Sequence, residues 1–326
     1  MTPVTLTMAL ERYERHLPFS EHRIAAPHGF RFDVFEIAQE GSLRDGSRRE
    51  ERMVRDLEFD IAELSLSSYL MAKSQGRPLI AVPVFPRRLF SQTQMFVRTG
   101  STLRSPHDLA GRRVGLQSLQ ATLAVVAKGD LSFEYGVPWR SVTWVVRDRE
   151  TVSLPRGIDA DVVRVPREAD LAAMLVAGDV DALFISRYPR SPQVPAGSVR
   201  RLFADPQAEA LRYYRKYGAY PIMHVLACRQ TVVDAHPQLP RVLQQFFKDA
   251  LRDCHDNYAD PGWSLLPFGR LAYEEMLEQF GGDPWPSGLA ADRAYLERFI
   301  DYALDQQLIA ERIPVEALFA EGAGLP

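Results

Sequence analysis

Two cysteines, Cys228 and Cys254, are all that the 326 residues contain. That excludes a disulfide framework, and the lack of any CxxC or Cys/His cluster leaves a structural metal without ligands. Both thiols read best as buried structural side chains, with a nucleophilic role the alternative. Charge of one sign is equally scarce: 39 Lys and Arg face 42 Asp and Glu, a net charge of −3. There is no global basic field for nucleic acid. The pairs Arg48-Arg49, Arg87-Arg88, Arg112-Arg113 and Arg200-Arg201 are scattered rather than gathered into one patch. No uncharged run approaches a membrane-spanning length. The opening MTPVTLTMALERYERHLPF has no basic region, apolar run or small-residue cleavage site, so a cytoplasmic location is expected. No GxGxxG follows a strand, and no Walker loop, HExxH or GxSxG occurs, which removes several common chemistries.

What is present is alternation. VTLTMAL (4–10), FDVFEI (32–37), FDIAEL (59–64) and the apolar run 79–84 read as strands. Between them, SRREERMVRD (47–56) reads as an amphipathic helix with Met53, Val54 and Leu57 facing in, and a further helix begins at Ser67. The segment 105–116 reads as a short helix, with Ser105 as its cap and Pro106 in its first turn, ended by Gly111 and followed by a strand. A second set follows: helix 121–128, strand 142–146, helix 169–177 ended by Gly178, strands 181–186 and 199–203, and an extended YPIMHVLACR (220–229). Residues 238–319 are largely helical, with breaks near 260–269 and 281–288. Strand–helix alternation implies mostly parallel sheets flanked by helices. With 46% hydrophobic residues at this length, two lobes are expected. Extended connections near 92–98 and 219–227 suggest hinge strands. Lobe one then comprises 1–92 and 223–326 with the C-terminal helices, and lobe two 93–222. Ligands of such sheets bind at the carboxyl ends of strands, between lobes.

Five segments occur here in the order found in one family: DIAELS (60–65), VFPRR (84–88), DLAGRRVG (108–115), GDVDAL (178–183) and YPIMH (220–224). On them the chain resembles the 4,5-dihydroxyphthalate decarboxylase family over roughly residues 4–255. The DLAGRRVG segment is general to type 2 periplasmic-binding-protein-like folds; ELSLSSYL, VFPRR and YPIMHV are more specific to the decarboxylase-like group. The resemblance implies a cytoplasmic, cofactor-independent enzyme taking a hydroxylated aromatic dicarboxylate, most closely 4,5-dihydroxyphthalate, to a protocatechuate-like acid; no residue spacing argues for a metal, although Glu63, His224 and Glu14 could meet in space. The chain departs from the family at Glu11–His16, where a Gly-Asp-Tyr-Asp-like stretch is usual, and at Val146–Glu150, in place of a glycine-rich turn. Both lie where a substrate could be read. The rival reading is a non-catalytic binding protein for small aromatic carboxylates, of the kind that serves ABC transporters.

Decarboxylating such a ring needs a general acid, a group to hold the phenol, and donors for carboxylates. His224, in an apolar extended segment, is the first candidate acid; a histidine simply buried against backbone is the alternative. Glu63 ends a strand and could orient His224 or accept a phenolic proton, or else pair structurally with an arginine. Ser65, Ser67 and Ser68 precede or begin a helix, where one is expected to cap it and the others to present donors to an anion. Arg87 and Arg88, placed on a turn after strand 79–84, could clamp a carboxylate in two parallel bonds, with one of them turned to water. Gln120 and Thr122 are the lobe-two counterparts of the serines, with Gln117 nearby. Arg187 follows strand 181–186, and Tyr13 and Arg15 occupy the loop after the first strand. The partners expected are a small aromatic carboxylate and a second copy of the chain, through an exposed face of the helix around 291–304.

Overall fold

The computed structural model describes residues 2–27, 29–36, 47–147, 150–286 and 288–322. The chain begins with β1 (Val4–Leu10), α1 (Leu17–Ser20), β2 (Phe30–Glu36), α2 (Ser47–Asp56), β3 (Ile61–Ser65), α3 (Leu66–Ser74) and β4 (Leu79–Arg88). It crosses into β5 (Met95–Arg98), β6 (Arg113–Leu116), α4 (Thr122–Phe133), β7 (Thr143–Arg147), β8 (Val162–Val165), α5 (Leu171–Ala177), β9 (Ala182–Phe184), β10 (Val199–Arg201) and α6 (Pro206–Tyr217). It returns through β11 (Ile222–Arg229) and closes with α7 (Gln230–Ala235), α8 (Leu239–Asn257), α9 (Gly269–Phe280) and α10 (Leu289–Asp305).

The strands form two sheets, ordered β2-β1-β3-β11-β4 and β10-β5-β9-β6-β7-β8. In the first, β1 runs parallel to β2 and β3, while β11 is antiparallel to both neighbours. In the second, β6 to β9 are mutually parallel and β5 is antiparallel to β9 and β10. The two reversed strands are those by which the chain enters a sheet from the other lobe. The parallel strands β3, β6 and β9 end towards the lobe boundary, so a strand arriving across it must run away from it. This is the two-lobed type 2 periplasmic-binding-protein-like fold.

Side-chain alternation explains how the first sheet is covered on both faces. Leu6, Met8 and Leu10 join Ile61 in a cluster with Phe19 and α8, while Ala9 joins Ala62 and Leu64 in a second cluster with α2, α3 and α10. Helix α8 buries Leu239, Leu243, Phe246, Phe247, Ala250 and Cys254, the spacing of one helical stripe. The second cluster also takes in Leu123, Val125 and Val126 of α4, so apolar packing continues from one lobe into the other. Gly129 of α4 is forced by that contact: a Cβ there would lie 2.1 Å from the Tyr302 ring of α10. Beside it the Tyr302 hydroxyl donates to Asp130 at 3.0 Å.

Several expectations are corrected. Strand β4 runs through Pro83 and Pro86 to Arg88, so Arg87 and Arg88 lie within a strand rather than on a turn after it. Proline is tolerated because β11 pairs irregularly with this stretch, with register shifts around His224. Successive strand residues face opposite sides, which sends Arg88 away from the lobe boundary. Its guanidinium makes two parallel bonds to Asp292 of α10, at 2.8 and 2.7 Å, and donates to the Tyr220 carbonyl at 2.7 Å. The sequence did not suggest β8 or α6, and α4 runs five residues past its expected end. The apolar residues of α10, Tyr295, Leu296, Phe299 and Ile300, are buried in the core; exposed large apolar side chains gather instead at Leu265, Leu266, Phe268 and Leu271. Both cysteines are free and buried, as expected. Ile37, expected to end β2, and Asp148 and Arg149 of the turn at 146–150 lie outside the described residues.

The Arg88–Asp292 pair is almost fully buried, so removing one partner strands the other charge. Asp292→Ala should cost about 3–5 kcal/mol in urea denaturation. A loss under about 1 kcal/mol would show that Arg88 finds another partner or water.

Candidate active site

The site is set by cross-strand register. His224 of β11 lies opposite Ser65 of β3 on one side and Arg87 of β4 on the other. Residues opposite one another in a sheet share a face, and so do residues two apart on one strand. Glu63, Ser65, His224 and Arg87 therefore converge on one side of the sheet.

The structure brings Glu63 and His224 together: Nδ1 of His224 lies 2.5 Å from Oε1 of Glu63. The second Glu63 oxygen accepts the Glu11 backbone N–H at 3.0 Å. Behind it Arg49, with no exposed surface, donates to the Glu63 carbonyl at 2.7 Å and to the Glu11 carboxylate at 3.3 Å. Burial opposes a charge on Glu63, but the Arg49 guanidinium and the His224 hydrogen bond outweigh it and hold the carboxyl well below its usual range. Burial pushes the His224 imidazole down to about 4, against the pull of Glu63 and reinforced by the charges of Arg87 and Arg49. At neutral pH the pair is thus a carboxylate and a neutral imidazole. Nδ1–H donates to Glu63, which leaves Nε2 as the working nitrogen.

His224 opens onto an interlobe cavity of about 650 Å³, counting its mouth. That suits a one-ring ligand. Lobe one contributes Glu50, Ser65, Ser68, Arg87, Leu89, Met223 and His224; the second sheet's connections contribute Gln117, Ser118, Gln120, Thr122, Leu123, Thr151 and Ser186. Helices α3 and α4 both begin here, and the first-turn N–H groups of a helix have no acceptor within it. Arg87 is half-buried and has no hydrogen-bond or ion-pair partner among the described residues. The wall is therefore anion-seeking on one side and apolar at Leu89, Leu123 and Met223.

The serines behave differently from expectation. None caps α3 through its side chain. Ser65 Oγ shares a hydrogen bond with Thr122 Oγ1 at 2.7 Å, the Ser67 N–H donates to Thr122 Oγ1 at 3.1 Å, and the Ser67 hydroxyl donates to the Gln120 carbonyl. These hydroxyls join the lobes. Among the described residues, the one first-turn N–H of α3 with an acceptor outside the helix is that of Ser67, on Thr122; Glu50 of α2 instead accepts the N–H of Ser65, the residue before the helix, at 2.9 Å and contacts the Ser68 hydroxyl at 3.2 Å. The Gln120 amide pairs with the backbone of Val152 in both directions, at 3.0 and 3.2 Å, so it shapes the wall instead of presenting its amide to a ligand. Arg88 is withdrawn by Asp292. Arg187 lies outside the cavity lining, although its neighbour Ser186 is within it. Tyr13 also stands outside that lining, and Arg15 lines a separate cavity with His16, Phe247 and Trp285. The Arg15 guanidinium lies 3.9 Å from the Tyr13 ring centroid and 4.8 Å from that of Trp285. Among the described residues, no three His, Cys, Asp or Glu side chains converge to hold a metal.

Sequence reasoning missed Arg49, Glu50, Ser118, Thr151 and Ser186. For the first two a signal existed: Arg49 and Glu50 precede Met53 and Val54 by four residues, so they share the inward helical face. Their charge disguised it.

Fold and site together define a two-lobed binding-protein-like α/β protein with an acid–base pair in the cavity between its lobes. Solved structures agree on the fold. The alkanesulfonate-binding protein SsuA of Xanthomonas axonopodis pv. citri, bound to MOPS, matches with a TM-score of 0.59 at 16% identity, over 98% of this chain and 99% of that one. The aliphatic sulphonate-binding SsuA of Escherichia coli matches at 0.57 and 13%, over 99% of both. No family model matches the chain. The particular likeness comes from sequence. The chain is 29% identical to the 4,5-dihydroxyphthalate decarboxylase of Comamonas testosteroni, over 98% of this chain and 97% of that protein. It is 35% identical to the protein of the same name from Pseudomonas putida, over 171 residues, half of this chain and 66% of the other. The likeness to the 4,5-dihydroxyphthalate decarboxylases therefore runs along nearly the whole chain.

His16 is also held neutral by burial, pushed down to about 4. Both imidazoles would take a proton below about pH 6.5 once unfolded, and in the fold only near pH 4. These two groups therefore withdraw stability as the pH falls from 6.5 towards 4. Nitrogen-resolved NMR should show both rings neutral from pH 8 to 5.5, with the proton of His224 on Nδ1. A ring that titrates in that interval would contradict the buried neutral pair.

Proposed function

We propose that the chain decarboxylates 4,5-dihydroxyphthalate, or a closely similar hydroxylated aromatic dicarboxylate, to a protocatechuate-like acid, without a cofactor and in the cytoplasm. The observation that carries this reading is the Glu63–His224 hydrogen bond at the wall of a cavity that also holds Arg87 and two helix starts. We take the lobe boundaries near residues 92 and 222, and self-association, as parts of the same proposal.

Arg87 and the start of α4 bind a substrate carboxylate, since both offer donors and positive potential. A carboxylate seated beside His224 adds to Glu63 in favouring the charged ring, so the imidazole enters the step as imidazolium. Nε2 then gives its proton to the ring carbon that bears the carboxylate. The C–C bond breaks, its electron pair returns to the ring, and CO2 leaves against Leu89, Leu123 and Met223. Water restores the proton to His224. Glu63 keeps the ring in one tautomer and stabilises the imidazolium; it is a positioning residue.

A non-catalytic receptor on the same fold is the competing reading; the binding proteins among the solved neighbours favour it at the level of fold only. The test is purified protein with 4,5-dihydroxyphthalate, following CO2 and product. Turnover is expected. Saturable binding without turnover would replace the enzyme reading with the receptor reading. Given turnover, His224→Ala should lower kcat by about 10²–10⁴-fold with the fold intact. Arg87→Ala should raise KM about tenfold or more with a smaller effect on kcat. An active His224→Ala would remove His224 as the acid.

A further inference from the structure

Among the described residues that line the interlobe cavity, Glu50 alone is acidic. It is 8% exposed and stands on α2, outside both strands that carry the Glu63–His224 pair. Its Oε1 accepts the Ser65 N–H at 2.9 Å. Its Oε2 contacts the Ser68 hydroxyl at 3.2 Å and, from the other lobe, the Thr151 hydroxyl at 3.4 Å. Holding the Ser65 N–H accounts for one oxygen; the other lies in the cavity wall, among side-chain hydroxyls of both lobes. Burial raises the Glu50 pKa, against the Arg49 charge and the bonds from Ser65 and Ser68.

A carboxyl group in a wall that attracts carboxylates is a contradiction unless the ligand brings a donor to that end. A ring carrying carboxylates at one edge and hydroxyls at the opposite edge does so. We propose that Glu50 accepts the hydrogen bond, and in the chemical step the proton, of the ring hydroxyl para to the departing carboxylate; this rests on the decarboxylase reading above. The two ends of the site meet at Ser65, whose N–H holds Glu50 and whose cross-strand partner is His224.

The step balances. Glu50 takes the phenolic proton, and the O–H electron pair moves through the ring to the para carbon. That carbon takes the Nε2 proton of the His224 imidazolium and becomes tetrahedral, leaving a dienone. Its bond to the carboxylate breaks, CO2 departs, and the electron pair returns through the ring to the oxygen. Glu50 hands the proton back to that oxygen. The net consumption is one proton, supplied by His224 and replaced from water. Glu50 is then both catalytic and selective: a phthalate without hydroxyls leaves a buried carboxylate facing nothing that donates.

The experiment compares wild type and Glu50→Gln, which keeps the acceptor for Ser65. With 4,5-dihydroxyphthalate, kcat should fall at least 100-fold. Unsubstituted phthalate, measured by calorimetry, should bind the variant as tightly as wild type or tighter, which also reports that the site is folded. A variant within threefold of wild-type kcat would overturn the proposal and leave Glu50 as a structural partner of Ser65. Wild type supplies a second arm that needs no folded variant. It should bind 4-hydroxyphthalate at least tenfold tighter than phthalate at pH 7, and equal affinities would overturn the proposal. The two levels separate cleanly: an inactive wild type refutes the decarboxylase reading and this proposal with it, whereas an active wild type with an active Glu50→Gln refutes this proposal alone.

Discussion

A carboxylate with no exposed surface can exist in this protein because Arg49 stands behind it. Glu63 and Glu11 both lie in apolar surroundings made by β1 and β3, where an isolated negative charge would be expelled as a neutral acid. One guanidinium, itself without exposed surface, holds the strand carbonyl of Glu63 and the carboxylate of Glu11. Everything in the site follows from that arrangement. Glu63 stays charged, so it fixes the tautomer of His224; the fixed tautomer presents one nitrogen to the cavity; and α2, which carries Arg49, is thereby locked against β3 with Glu50 in the wall. The arrangement is expensive in desolvation, and such expense is most readily understood where charge has chemistry to perform.

The reliably legible parts of the sequence were those in which period and position agree. The lobes, the two returning strands and the helical C-terminal third follow from strand–helix alternation and from turn residues such as Gly178, which ends α5 in a left-handed conformation. Glu63 and His224 were visible because each sits on an apolar strand where polarity has no structural excuse, and Arg87 because a guanidinium follows an apolar strand. The serines were misread because a local rule, that a hydroxyl before a helix caps it, lost to a partner distant in sequence: Thr122 took the Ser67 N–H, and the Ser65 and Ser67 hydroxyls turned to the same connection. Arg87 and Arg88 could not be told apart until pairing with β11 was known, since a turn does not assign faces and a strand does. Glu50 was hidden in the most charged helix of the chain, where SRREERMVRD suggests solvent and only the four-residue interval to Met53 and Val54 suggests otherwise.

The likenesses found by fold and by sequence differ in kind. The two SsuA structures named above are binding proteins of the same architecture. The sequence relatives carry the name of a decarboxylase. A cavity of this fold already offers helix starts and a cation to an anion. In this chain the sheet face below also carries an imidazole, that of His224 on β11, at the irregular stretch of its pairing with β4.

Gly129 carries a consequence for how the molecule exchanges its contents. By leaving room for the Tyr302 ring, it seats α4 against α10, and Leu123, Val125 and Val126 continue the apolar core of lobe one into lobe two. Swinging the lobes apart would wet that seam and break the Tyr302–Asp130 bond, so a wide receptor-like gape carries a penalty that closure alone must repay. A transport receptor lives by that cycle, because it has to surrender its cargo to another protein. A molecule riveted along one edge is better suited to a different economy: a small ligand enters and leaves by the mouth, without the lobes having to part.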